Sequence, residues 1–87
     1  MTEQERYTLE EAHIKFAKLA NGQVWESLEK KRRSDAENEE MLIAAFSSLY
    51  HWCQVGNPVN VQRGHWLLSR VFLDLERAEE ALVHALW

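Results

Sequence analysis

The chain reads as an all-α domain of four helices arranged as two antiparallel hairpins. Three observations predict that class. Gly occurs three times and Pro once in 87 residues, so few positions break a helix. Apolar residues recur at three- and four-residue steps through most of the chain, the period of a helix face. Polar capping signals stand at the head of three of these runs. With 46% hydrophobic residues, four Trp among them, the chain can build a core. Its length limits it to one small domain, residues 1–87.

Residues 1–7 read as a flexible polar start and residues 8–31 as the first helix. Thr8 with Glu11 matches the capping box, in which a hydroxyl and a carboxylate three residues on satisfy early backbone amides. Leu9, Ala12, Phe16, Ala20, Val24 and Leu28 are expected to form its buried stripe. Asn21-Gly22 interrupts the pattern, but the stripe stays in phase across it. One interior Gly costs about 1 kcal/mol, so the helix is expected to run through. Lys30, Lys31, Arg32 and Arg33 fall at its C-terminal end, where cations offset the helix dipole.

Residues 34–55 form the second predicted helix, started by a Ser34/Glu37 capping box. Leu42, Ala45, Phe46, Leu49 and Cys53 give it an apolar side, and Ala44, Ser47, Ser48 and His51 a flank of small and polar side chains. A helix with so little polar surface is expected at the centre of the domain. Gly56 suits the left-handed residue that closes it. Asn57 can cap the third helix, residues 58–74, with Pro58 at its first position. This helix presents Leu68, Val71, Phe72 and Leu75 on one side, and Trp66, Leu73 and the stems of Arg63 and Arg70 on another. The fourth helix, residues 77–87, ends on Leu82, Leu86 and Trp87 with no polar last turn. Those three side chains fold back, bury against another copy, or belong to a longer protein; self-association is favoured over folding back.

Fourteen acidic against ten basic side chains give a net charge of -4, which disfavours nucleic acid as a partner. One cysteine, Cys53, allows no internal disulfide and reads as a buried, reduced thiol. No apolar stretch reaches the roughly 18 residues a membrane span needs, and residues 1–6 lack a secretion signal's apolar core. A cytoplasmic location follows as the expectation.

Few residues carry catalytic signals. Glu10 and His13 have the spacing of half a di-iron helix motif, but no second Glu-x-x-His exists, so they are read as solvent-facing. His51, Cys53, His65 and His84 lack the spacing of any zinc finger or ribbon. No metal, cofactor or catalytic residue is therefore assigned. Arg77 and His84 loosely resemble the Arg-x(4 to 6)-His element of the HEPN helical ribonucleases. That resemblance implies phosphate chemistry across a dimer and stands as the alternative function, although Ala78 occupies a position that is usually polar.

Leu68, Ser69, Phe72, Ala78, Ala81 and Ala85 follow in order a large, small, aromatic, small, small, small pattern. Over residues 63–85, about a third of the chain, this resembles a tetratricopeptide repeat. Glu76 stands where that family usually has Gly, and His65 where it has Trp. Helices one and two do not carry the pattern. Tyr50-His51-Trp52 and Arg63-Gly64-His65-Trp66 also resemble segments of an uncharacterised bacterial family of small helical proteins, which implies no activity. The repeat resemblance implies a right-handed helical array whose binding surface falls on Arg63, Trp66, Arg70 and Leu73. Two arginines flanking an indole suit a carboxylate or acidic peptide. In the competing arrangement Trp66 and Leu73 pack on the second helix and the arginines pair internally. Protein binding without catalysis is the expected function, with Leu82, Leu86 and Trp87 as the face that joins copies into a homodimer or larger assembly.

Overall fold

The computed structural model describes residues 8–86, and every regular element among them is a helix. Four occur: α1 (Leu9–Glu29), α2 (Asp35–Val55), α3 (Pro58–Asp74) and α4 (Ala78–Ala85). Each packs chiefly on its neighbour in sequence, α1 on α2, α2 on α3 and α3 on α4. The result is a slab of 47 × 28 × 15 Å, a single layer of helices with α2 and α3 at its centre. The reading of residues 1–7 as flexible and the assignment of Trp87 lie outside the described residues.

Local chemistry sets most helix ends. The Thr8 hydroxyl accepts from the Glu11 amide and donates to the Glu11 carboxylate, so Glu11 closes on the side chain of Thr8. Ser34 and Glu37 form the complete reciprocal box. Lys30 bonds the Glu37 carboxylate at 2.7 Å and, with the Ser34 amide and hydroxyl, holds its pKa down at about 2. Gly56 closes α2 at φ 78°, and the Asn57 side chain accepts from the amides of Val59 and Asn60. α1 is continuous through Gly22, as the in-phase stripe predicts.

The α3–α4 turn is a Schellman motif: the Arg77 amide donates to the Phe72 carbonyl and the Glu76 amide to that of Leu73. Glu76 takes φ 60°, a left-handed conformation that Gly adopts without steric cost and other residues rarely do. The Arg77 guanidinium lies 5.0 Å from the Phe72 ring centroid, supplying the side-chain contact that usually accompanies this motif. α4 starts without a side-chain cap and is only eight residues long, shorter than the expected 77–87.

The core consists of Ala17 and Val24 from α1, Met41, Ala44, Ala45, Leu49 and Trp52 from α2, Val61, Leu67, Leu68, Val71 and Phe72 from α3, and Ala81 from α4. Three expectations are corrected here. Leu9 and Phe16 are exposed, because the stripe that meets α2 runs through Ala17, Ala20 and Val24 instead. Phe46 is partly exposed, with its ring edge against Phe72. Cys53 is exposed: it lies about 100° round α2 from the buried Trp52, beyond what either neighbouring helix covers.

Arg33 ends the basic run and ties three parts of the chain together. It donates to the Ser27 carbonyl at the end of α1 and to the Asn38 side chain of α2, and it pairs with Asp74 at the end of α3. The Ser27 carbonyl also accepts from the Lys30 amide, and a cation on a C-terminal carbonyl of α1 is the dipole role expected of this run.

Candidate functional site

Arg63, Trp66, Arg70 and Leu73 lie on one stripe of α3, the side facing away from its buried residues. Trp66 is 55% and Leu73 58% exposed, so neither is packed into α2. Among the described residues neither arginine forms an ion pair. The arrangement that buries Trp66 and Leu73 against the second helix is thereby overturned.

The stripe is not uniform. Arg63 and Trp66 form the wall between two hollows, one of about 290 Å³ completed by Asn21, Trp25 and Leu67, the other of about 470 Å³ reaching across to His84 and Ala85. Trp25 of α1 brings its ring centroid to 6.1 Å from that of Trp66. The two indoles bridge the gap between α1 and α3, which otherwise scarcely touch. Arg70 and Leu73 continue the stripe beyond both hollows. The sequence reading missed Trp25 because its partner lies 41 residues on and no local pattern links them. A third hollow, about 490 Å³, lies between α1 and α2; its lining mixes Glu26, Lys30 and Glu40 with Ala20, Ile43 and Ala44 and carries no aromatic ring.

A surface of two half-exposed indoles beside an arginine can cover apolar atoms and anchor a carboxylate by charge-assisted hydrogen bonds. Leu82 on α4 and Leu86 at its C-cap, both in the expected self-association face, are exposed.

The histidines form two pairs. His13 and His51 meet Nδ1 to Nδ1 at 2.8 Å across α1 and α2, and His65 and His84 meet likewise at 2.8 Å across α3 and α4. His13 is thus half-buried against α2 rather than facing solvent, which corrects the reading of this residue, while Glu10 is exposed as expected. In each pair one ring donates and the other accepts. Two nitrogens held at 2.0–2.1 Å by one tetrahedral zinc stand about 3.3 Å apart, so the observed spacing fits a shared proton better than a metal. No group of three or more metal-ligating side chains occurs among the described residues. Burial, then the facing histidine, lowers the pKa of His51 and of His65.

One turn from each histidine pair a serine hydroxyl reaches across the same two helices. Ser48 donates to the Ala17 carbonyl at 3.2 Å, and Ser69 donates to the Ala81 carbonyl at 2.8 Å. Both contacts are buried and need the backbones close, which the small residues Ala17, Ser48, Ser69 and Ala81 permit. The first hairpin therefore repeats the cross-helix chemistry of the second. His13-x3-Ala17 matches His65-x3-Ser69, and Ser48-x2-His51 matches Ala81-x2-His84. Because rising numbers on one helix pair with falling numbers on the next, both hairpins are antiparallel.

Arg77 and His84 are both engaged within the chain. Arg77 pairs with Glu80 at 3.2 Å and lies on Phe72, while His84 stacks on Phe72 and bonds His65.

Comparison with protein-family models, with curated proteins and with solved structures gives no match.

Proposed function

We propose that this chain is a non-catalytic protein-binding module whose contact surface centres on Arg63 and Trp66. One observation carries the reading: an exposed arginine and indole stand together between two hollows, with a second indole, Trp25, beside them and no internal ion pair for the arginine among the described residues. Desolvated Trp and Arg are the side chains that most often dominate interface energetics. Arg70 and Leu73 extend the surface along α3, so the fitting partner is an extended peptide or protein segment with acidic groups and at least one apolar side chain.

The resemblance of residues 63–85 to a tetratricopeptide repeat supports this reading, and the matched chemistry of the two hairpins widens that support to the first half of the chain. The same reading places the protein in the cytoplasm and has it self-associate. The ribonuclease alternative has no comparable observation in its favour, since Arg77 and His84 are turned to Glu80, Phe72 and His65.

The test is capture from cell extract with wild-type protein beside an Arg63→Glu, Arg70→Glu double variant and a Trp66→Ala variant, each first shown to be folded by circular dichroism. A partner held by wild type and weakened at least about 30-fold by either variant, the effect of losing an interface anchor of about 2 kcal/mol, is the expected result. Equal retention by all three proteins sinks the proposal.

A further inference from the structure

The matched hairpins define which residues occupy equivalent positions. His13 and Ala17 correspond to His65 and Ser69, so α1 maps onto α3; Ser48 and His51 correspond to Ala81 and His84, so α2 maps onto α4. Between the hairpins, α2 packs on α3 through Leu49, which sits so tightly on Gly64 that a Cβ there would lie 2.9 Å from the leucine Cδ1. The α3 stripe through that contact is Val61, Gly64, Leu68 and Val71, all buried. Its counterpart on α1 is Leu9, Ala12, Phe16 and Leu19. There the three large residues are 75%, 51% and 55% exposed. The counterpart of Leu49 on α4 is Leu82, exposed like Leu86 one turn on.

The chain thus shows one covered joint and both halves of a second: α1 carries an apolar stripe like that with which α3 meets α2, and α4 carries leucines like that with which α2 meets α3. We infer that a second copy of this chain docks its α1 on the α4 of the first, head to tail, repeating the α2–α3 joint between molecules. This rests on the self-association part of the proposed function and specifies its geometry. A heterologous joint of this kind leaves a free α1 at one end and a free α4 at the other, so it propagates beyond a dimer. Ala12 replaces Gly64 in the new joint, so the helices meet one methyl group further apart.

The experiment is light scattering coupled to size exclusion over a concentration series, with Leu19→Glu and Leu82→Glu as blocking variants of exposed positions and helicity as the folding check. Wild type is expected to grow past dimer mass with concentration, and each variant to remain monomeric alone. An equimolar mixture is expected to give a 1:1 dimer and nothing larger, because one variant keeps a working α4 and the other a working α1. Monomeric wild type at every concentration overturns both the joint and the self-association reading. Wild type that stops at a dimer, or a mixture that stays monomeric, overturns the head-to-tail joint and leaves a two-fold association. The Arg63→Glu, Arg70→Glu variant assembles as wild type does, which separates this outcome from that of partner binding.

Discussion

The two hairpins make the same cross-helix contacts from helices of different length. In the first, two 21-residue helices share the serine bond and the histidine pair; in the second, 17 residues meet eight. The short helix contributes one buried residue, Ala81, against six from α2. A hairpin's internal contacts are therefore set by a few small and polar side chains at matched height, while its strength depends on how much helix lies beyond them. The second hairpin leans instead on Phe72, whose ring touches Phe46, His84 and Arg77 at once.

That contrast breaks most readily at Phe72. Phe72→Ala is expected to cost about 3–5 kcal/mol and to release α4, read as loss of cooperative thermal unfolding with hydrogen-exchange protection retained longest in α1 and α2. The histidine pairs sharpen the contrast through pH. His51 and His65 are held below their ordinary pKa, so the unfolded chain binds protons that the folded chain refuses. Their stabilising contribution is complete above about pH 6.5, the unfolded value, and falls as pH drops below it. The titratable neighbour facing His51 is His13, with the Tyr50 ring beside that pair, and the one facing His65 is His84. A second proton in either pair sets two N–H groups against each other and removes a bond worth about 1 kcal/mol. With His65 the more deeply buried and α4 the shorter helix, α4 amides should exchange sooner than α1 amides as pH falls from 7 to 5; the reverse order sinks this account. The smallest effect belongs to Glu76→Gly, which relieves the left-handed backbone at the Schellman turn and should raise stability by about 0.5–1 kcal/mol in chemical denaturation.

Much of the fold was legible because the ends of the helices are written in adjacent residues. Ser34 with Glu37, and Gly56-Asn57-Pro58, place α2 and α3 nearly to the residue. The exposed stripe from Arg63 to Leu73 was legible too, since helical spacing separates it from Leu68, Val71 and Phe72. What escaped depends on which heights on two helices meet. Neither the His13–His51 bond, nor the Trp25–Trp66 contact, nor the exposure of Phe16 has a local signature. The one available signal was the pairing of His-x3-Ala/Ser with Ser/Ala-x2-His in each half, visible only once small and polar residues are compared instead of large apolar ones.

Helices that lie in a single layer 15 Å thick meet mainly those next to them in the chain. The Arg33–Asp74 pair, 41 residues apart, is the long clasp across that layer. Such a low mean sequence separation between touching residues implies rapid folding, on the microsecond-to-millisecond scale, with little loop-closure entropy to overcome before contacts form. Arg33 then acts late, locking the end of α3 to a loop that has already been made.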